Sequence, residues 1–300
     1  AEPLAGPLPD RVNDPGGSPI GWGVLMATAI ATGEATPRSA GRPRRGRLFG
    51  INIDRVTMSQ AVDRVHEWIS DGTGRACRCI VTPNVDHIVM LRSRDDLRAA
   101  YQSASMVVAD GWPIVTASKW LGEPLPERVA GSDLVPALFA SATPRRPVRV
   151  FLLGGKEGVA ERAADVILAK WENVEVVGTH SPPFGFENQP AECERIEDAL
   201  RAAAPDLLII GLGAPKQELW MHASRTRLAA KVAIGAGATI DFLAGEQRRA
   251  PKWIQSLGME WFYRAASQPR RLVGRYARDL FWFPLICMEE GLRRWRRTER

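Results

Sequence analysis

The pattern of apolar and polar residues divides the chain into three regions. Residues 1–47 are rich in Pro, Gly, Ala and Arg, and their apolar residues show no regular spacing. Such a composition buries too little apolar surface to offset the entropy of ordering, so we predict a disordered basic tail, with an anionic-membrane tether as the alternative. Residues 48–245 alternate between short apolar runs and amphipathic segments, and residues 246–300 are basic and aromatic.

The middle region predicts strands that alternate with helices. Apolar runs that end at Gly or Pro indicate strands, and apolar residues at helical spacing indicate helices. The predicted strands are Arg47–Ile53, Arg78–Thr82, Met106–Ala109, Val148–Leu153, Val174–Thr179, Asp206–Gly211 and Val232–Gly237, and the predicted helices are Ser59–Ser70, Val85–Leu91, Asp95–Ala104, one helix between Ala109 and Ala140, Gly158–Trp171, Ala191–Ala204 and Lys216–Arg227. This alternation predicts an α/β fold, a Rossmann-like parallel sheet with flanking helices.

The last region carries the excess charge of the chain. From Gly245 to Arg300 there are 13 Lys and Arg against 6 Asp and Glu, a net charge of +7, whereas the whole chain is +6. Arginines interleaved with aromatic residues favour a C-terminal helical appendage that associates with an anionic lipid surface or a diphosphate headgroup. A solvated basic tail and a nucleic-acid surface are the alternatives.

Composition limits the compartment and the mode of membrane contact. No apolar run reaches the ~18 residues of a spanning helix, so we expect any membrane contact to be peripheral. The four cysteines lack metal-ligand spacing, and we find no secretory signal. We therefore expect reduced thiols in a cytoplasmic protein.

Three glycine-bearing turns follow predicted strands. They contain Gly154-Gly155, Gly211-Leu-Gly213 and Gly235-Ala-Gly237, and Asp241 follows the last of them. Ligands of open parallel sheets bind beyond the carboxyl ends of the strands, and glycine allows close backbone approach to a phosphate. We predict a diphosphate cradle, with packing alone as the alternative for each turn. The chain has neither GxGxxG nor GxxxxGK[ST], which disfavours dinucleotide dehydrogenases and P-loop proteins.

Asp110 is the carboxylate best placed for chemistry. It ends an apolar strand and precedes Gly111, so we expect it at the edge of the sheet, where a partly desolvated carboxylate acts as a general base. An Asx turn or helix cap is the alternative. His87, Asp86 and Asp133 are interpreted as packed or capping residues. We expect no metal site, because there is no Asp-x-Asp pair and the histidines are scattered.

Three segments together resemble one known family. They are Thr82-Pro-Asn-Val-Asp-His87 with Ala109-Asp-Gly-Trp-Pro113, then Arg128-Val-Ala-Gly-Ser-Asp133, then Gly211-Leu-Gly-Ala-Pro-Lys-Gln-Glu218. In these residues, their order and their spacing, the chain resembles the WecG/TagA/CpsF family of bacterial glycosyltransferases, which includes teichoic-acid N-acetylmannosaminyltransferases. The resemblance extends from about Leu48 to at least Tyr276.

The resemblance implies an inverting transferase that needs neither metal nor cofactor. It implies transfer from a UDP-sugar to a polyprenyl-diphosphate-linked saccharide, in cell-surface polysaccharide biosynthesis at the cytoplasmic face of the bacterial inner membrane. The residues it implies are Asp110 as general base, Arg128, Arg264, Arg271 and Arg275 as cationic groups of the active site, and Thr82, Asn84 and Gln217 as residues that line it. The strand-end argument adds Gly154, Gly155, Gly213 and Asp241 as substrate-binding residues.

Two other functions compete with this reading. A nucleotide-dependent oxidoreductase of doubly wound fold would use Glu175, about 20 residues beyond Gly154, to hold a ribose, but the rest of its fingerprint is missing. A nucleic-acid-binding protein would explain the pI of 9.4 but not Asp110 and the glycine turns, so we expect no nucleic-acid partner. The donor sugar (N-acetylmannosamine, its uronic acid or glucose), the acceptor saccharide and assembly as a homo-oligomer are left open.

Overall fold

The computed structural model describes residues 44–71, 76–251, 254, 260, 263 and 269–298, and it gives the backbone alone at 269–271 and 297–298. The predicted disordered tail therefore lies outside the described residues up to position 43. Of the described helices, none combines the length and apolar character that crossing a bilayer requires.

The described strands and helices alternate along the chain as the sequence predicts. The strands are β1 (Arg45–Leu48), β2 (Ile51–Asp54), β3 (Arg78–Val81), β4 (Met106–Val107), β5 (Val148–Gly154), β6 (Val174–His180), β7 (Leu207–Gly211) and β8 (Val232–Gly235). The helices are α1 (Met58–Ser70), α2 (Val85–Met90), α3 (Asp95–Ser103), α4 (Trp112–Trp120), α5 (Gly131–Ala140), α6 (Val159–Lys170), α7 (Pro190–Ala203), α8 (Lys216–Ser224), α9 (Thr239–Leu243) and α10 (Pro269–Thr298).

Six strands form one parallel sheet in the order β4-β3-β8-β7-β5-β6. The predicted α/β fold is thereby confirmed. Because all six strands run the same way, the loops that follow them meet at one edge of the sheet. Both faces of the sheet are covered, which explains why the strands are almost wholly apolar.

The sheet separates two apolar cores. On one face, α2, α3, α4, α7, α8 and the β1–β2 hairpin pack together with Ile286 of α10. On the other face, α1, α5, α6 and α9 pack against alternate residues of the same strands. The layered arrangement fixes the strand ends rigidly, and the site is built on those ends.

The first predicted strand is wrong in detail. Arg47–Ile53 is not one strand, because Phe49 and Gly50 adopt positive φ angles of 54° and 79° and turn the chain into an antiparallel hairpin. The hairpin begins at Arg45, whose side chain pairs with Asp54 at 2.8 Å. The ordered body thus includes residues that we assigned to the tail before Leu48.

The single helix predicted between Ala109 and Ala140 is also wrong. Two helices, α4 and α5, occupy this stretch. Pro124 and Pro126 lie between them, and each lacks a backbone N–H and disfavours helical geometry in the preceding residue.

The C-terminal region contains one long helix. α10 spans 30 residues and packs against α2, which confirms the predicted C-terminal helix for this stretch. Leu272 and Ile286 are buried, and the ring of Phe283 lies 5.7 Å from that of Phe49. The face of α10 that turns towards the sheet thereby closes one side of the candidate site.

Candidate active site

A cavity of about 540 Å³ lies at the carboxyl edge of the sheet. Its walls come from the loops that follow β3, β4, β7 and β8 and from the inward side of α10. The residues from α10 are Arg275, Tyr276, Asp279, Leu280, Phe283 and Pro284. The cavity is thus enclosed between the α/β body and the C-terminal helix.

The structure brings most of the predicted site residues together here. Those that line the cavity are Thr82, Asn84, Asp110, Arg128, Gly213, Gln217, Asp241 and Arg275. Gly154 and Gly155 do not line it. Arg264 lies outside the described residues, and Arg271 is described in its backbone alone, within α10.

Asp110 lines the cavity in the loop that follows β4. Its backbone N–H donates to the carbonyl of Pro83 at 2.8 Å, which ties the ends of β4 and β3 together. The carboxyl is recessed but reachable, with 31% of the side chain exposed. Burial raises the pKa of Asp110 to about 6, although Arg128 at 3.7 Å opposes that rise. Such a carboxyl is ionised near neutral pH and still basic enough to accept a proton.

Arg128 begins a chain of alternating charges behind Asp110. Its guanidinium also pairs with Asp133, and Asp133 accepts from Arg249 at 2.7 Å. The Nε of Arg249 lies 3.7 Å from the carboxylate of Glu260, which lines the cavity. This network holds Arg128 against Asp110 and connects the body to the segment that follows Gly245.

The N-terminus of α2 presents Asn84 to the cavity. Asn84 is the N-cap, and its side-chain oxygen accepts from the backbone N–H of His87 at 3.3 Å. Nδ1 of His87 lies 2.7 Å from the same oxygen. Nearby, the Thr82 hydroxyl donates to the Gly235 carbonyl at 3.1 Å, which links the ends of β3 and β8.

His87 has a larger part in the site than its sequence context indicated. It lines the cavity, is buried, and its Nε2 lies 3.3 Å from Oε1 of Glu218 at the start of α8, although not aligned for a hydrogen bond. Burial lowers the pKa of His87, but Glu218, with smaller contributions from Asp86 and Asp110, more than offsets it, so the net pKa is raised. No sequence pattern indicated this pairing, because His87 and Glu218 lie in segments far apart along the chain.

Gln217 connects two of the loops. Its Oε1 accepts from the backbone N–H of Gly237 at 3.3 Å, and its Nε2 donates to Glu218 at 2.8 Å. Asp241 is held in turn by Gln247, which donates to its carboxylate at 3.1 Å. The loops after β7 and β8 are therefore fixed to each other by side chains.

A charged cluster attaches α10 to α2. Asp86 pairs with Arg278 and lies 3.5 Å from Arg275. Asp279 is buried beside them, and burial raises its pKa to about 6. Arg275 thus lines the cavity with Asp86 as its described ionic partner, and its role towards a ligand stays a prediction.

The glycine turns differ in how much space surrounds them. At Gly213 and Gly237, both with positive φ, an added Cβ would meet none of the described atoms within 4 Å, and both residues line the cavity. At Gly154 a Cβ would lie 2.5 Å from the carbonyl oxygen of Gly211, and at Gly155 it would lie 3.1 Å from Val159. Packing accounts for Gly154 and Gly155, and their role in ligand binding stays a prediction.

In the part of the chain that the structure describes, no cluster of three or more His, Cys, Asp or Glu side chains is arranged to hold a metal ion. Whether the reaction needs a metal stays a prediction to be tested by experiment.

Fold and site together define an α/β protein with a polar cavity at the carboxyl edge of a parallel sheet, the place where ligands of such folds bind. The sequence model of the glycosyl transferase WecG/TagA/CpsF family matches residues 46–297. The chain therefore belongs to the WecG/TagA/CpsF family of glycosyltransferases, and the resemblance seen in its sequence is confirmed.

Named relatives come from three strains of Staphylococcus aureus, MRSA252, MW2 and NCTC 8325 / PS 47. Each is an N-acetylglucosaminyldiphosphoundecaprenol N-acetyl-beta-D-mannosaminyltransferase. Each is 28% identical to this chain over 225 residues, which cover 75% of this chain and 85% of the relative.

Proposed function

We propose that this protein is an inverting glycosyltransferase that moves a sugar from a UDP-sugar to a polyprenyl-diphosphate-linked saccharide, with Asp110 as the general base. The observation that carries the proposal is the recessed Asp110 carboxyl, with a pKa raised to about 6, in the wall of a cavity that is also lined by open glycine turns and an arginine-bearing helix. The names of the relatives supply the class of acceptor, a saccharide on undecaprenyl diphosphate.

The proposed reaction is a single displacement. Asp110 accepts the proton of an acceptor hydroxyl while that oxygen attacks the anomeric carbon of the donor from the face opposite UDP. The bond between the anomeric carbon and the phosphate oxygen breaks, and its electron pair leaves with UDP. Arg128, held by Asp133, keeps the Asp110 carboxyl oriented and favours its ionised form.

The departing diphosphate needs compensating positive charge in this mechanism. Arg275 lines the cavity, and Gly213 and Gly237 leave room for a phosphate to approach their backbone. We propose that these three residues contact the diphosphate, together with Arg264 and Arg271. Thr82, Asn84, Gln217 and Asp241 complete the walls around the donor.

The outer face of α10 supports contact with a membrane surface. Its exposed apolar residues fall on one side of the helix and are Val273, Phe281, Met288, Leu292 and Trp295, with Leu280 at the edge where this side meets the cavity. The exposed side chains of Arg278, Arg293 and Arg296 border this stripe. Trp120 of α4 is 82% exposed, next to Leu121, whose carbonyl accepts from Arg294 of α10 at 3.2 Å. We propose peripheral binding to an anionic bilayer through this face, at the cytoplasmic side of the inner membrane.

Leu292 provides a direct test of the membrane face. Leu292→Glu should weaken binding to anionic vesicles by about tenfold or more, since burying one Leu side chain contributes ~1.5–3 kcal/mol. Leu168 of α6 is the matched control, since it is 53% exposed against 51% for Leu292. Vesicle co-sedimentation should be unchanged for Leu168→Glu. Equal binding of both variants and the unaltered protein would show that another surface contacts the membrane.

The transfer itself is tested with a panel of UDP-sugars and a short-chain prenyl-diphosphate N-acetylglucosamine acceptor. We expect one UDP-sugar of the panel (N-acetylmannosamine, its uronic acid or glucose) to add one sugar to the acceptor, seen by mass spectrometry. The product's anomeric configuration, read by NMR, should be inverted, and excess EDTA should not stop the reaction. A retained configuration, or a loss of activity that magnesium restores, would contradict the mechanism.

A further inference from the structure

Three loops of the cavity are joined by one chain of polar contacts. Gly237, after β8, donates its N–H to Gln217, and Gln217 donates to Glu218. Glu218 lies 3.3 Å from Nε2 of His87, and His87 is fixed to Asn84, after β3. These contacts therefore connect the ends of the neighbouring strands β3, β8 and β7. One arm runs through Gln217 to Gly237 and the other through His87 to Asn84, and the two arms meet at Glu218.

Gln217 has little freedom to act as a ligand-binding group. The side chain is buried, its oxygen is taken by Gly237, and its nitrogen donates to Glu218. The Gln217 amide also lies against Gly235, where an added Cβ would come within 3.2 Å of its nitrogen. Its contacts fix the shape of the glycine turn after β8, which faces the cavity through Gly237.

A buried carboxylate at this position is not explained by stability. Burying an ion pair costs several kcal/mol in desolvation, and apolar residues of similar size often stabilise a protein equally well. A buried ion pair does constrain the positions of its two side chains, because each charged group must stay close to the other to offset the cost of its burial. At Glu218 that requirement falls on two sets of contacts, those through Gln217 to Gly237 and those through His87 to Asn84.

We propose that Glu218 is a positioning residue for donor binding, holding Gln217 and the Gly237 turn in register with His87 and Asn84. The inference rests on the proposed function, because it takes the cavity as the site of the UDP donor. Glu218 itself does not line the cavity. It therefore acts through its neighbours and not on the substrate.

The chain offers a matched control for the pair. His180 and Glu192 form a second His–Glu pair, with Nε2 and Oε1 2.7 Å apart and Glu192 buried, although His180 is more exposed than His87 and Glu192 also pairs with Arg195. Neither residue lines the cavity. Neutralising Glu192 therefore tests the effect on stability alone, whereas neutralising Glu218 tests the effects on stability and on donor binding together.

The experiment measures UDP affinity by calorimetry, and KM and kcat for the donor, in Glu218→Gln and Glu192→Gln. We expect Glu218→Gln to weaken UDP binding and raise KM about tenfold with kcat within about threefold, and Glu192→Gln to change neither. Both variants should lose similar thermal stability. If Glu218→Gln does not fold, Glu218→Asp keeps the charge but shortens the side chain, which moves the carboxylate away from His87 and Gln217, and it should weaken UDP binding in the same direction.

The outcomes separate the inference from the proposed function. If the unaltered protein binds UDP and Glu218→Gln binds it equally well, the pair is structural only and the inference is wrong. If the unaltered protein does not bind UDP, the proposed donor is wrong, and the inference that Glu218 supports donor binding is wrong as well.

Discussion

The carboxyl edge of the sheet has two halves that carry similar residues and differ in what those residues do. The half formed by β4, β3, β8 and β7 bears the cavity, and the half formed by β5 and β6 is closed by packing. Each half has a glycine turn with positive φ angles and a His–Glu pair, buried in the first half and with His180 partly exposed in the second. In the first half the glycine turns at Gly213 and Gly237 line the cavity, whereas Gly154 and Gly155 in the second half pack against neighbouring residues.

The comparison shows that glycine residues and buried charged groups each have two uses in this fold. Some serve packing, and others serve the cavity. At Gly154 the missing side chain lets β5 and β7 approach each other, whereas at Gly213 it leaves room that other residues do not fill. The open half also retains costly features, namely a desolvated Asp110 and buried polar atoms without hydrogen-bond partners in His87 and Glu218. Such features are expected where structure serves chemistry.

The largest effect should come from adding a methyl group in the closed half. Gly154→Ala places Cβ 2.5 Å from the Gly211 oxygen at a φ of +124°, so we expect a loss of about 2–6 kcal/mol in the free energy of unfolding. Gly185→Ala is the control, because it has φ +81° and no described atom within 4 Å, and it should lose only about 1 kcal/mol. Equal losses in denaturant unfolding would mean that the turn is not tightly packed.

The same change in the open half should affect binding more than stability. Gly213→Ala should lose about as much stability as Gly185→Ala. In both variants the alanine must adopt a positive φ, and in neither does its Cβ meet a described atom within 4 Å. Its UDP affinity should fall about tenfold, since the new methyl group occupies the space next to the diphosphate. Calorimetry with UDP measures this affinity. If Gly213→Ala binds UDP as tightly as Gly185→Ala does, the turn at Gly213 is structural only, like the turn at Gly154.

The smallest effect concerns the dependence of stability on pH. The pKa of Asp110 is raised from 3.8 to about 6 by folding, so the folded state binds the proton more tightly and stability falls as pH rises between about 4 and 6. Asp110→Asn removes this dependence and should be more stable than the unaltered protein at pH 7 by about 1 kcal/mol, allowing for partial exposure. Asp279, whose pKa is also about 6, is present in both proteins. Its contribution to the pH dependence of stability is therefore the same in both and does not affect the difference between them. Parallel stability curves for the two proteins from pH 4 to 7 would contradict a raised pKa.

The sequence predicted the sheet because its strands are short apolar runs bounded by glycine and proline. It also predicted several residues of the cavity wall, since Asp110 lies beyond the end of a predicted strand, and Asn84 and Gln217 belong to the segments that resemble the family. It could not predict the partners of those residues. The pairing of His87 with Glu218, of Arg249 with Asp133, and of Asp86 with Arg278 joins segments far apart in sequence, and only the packing of helices on the sheet brings them together. The division between open and packed glycines has the same origin.

The central claim is that Asp110 removes the proton from the acceptor, and the transfer rate as a function of pH tests it most directly. Rates of the unaltered protein and Asp110→Asn would be measured from pH 5 to 8 with saturating UDP-sugar donor. We predict that kcat/KM for the acceptor rises through about pH 6 and then levels in the unaltered protein, as the carboxyl ionises. Asp110→Asn should bind UDP normally, react ~10²–10⁴-fold more slowly and show no rise near pH 6. A variant that reacts within tenfold of the unaltered protein, or keeps the same rise with pH, would contradict the account.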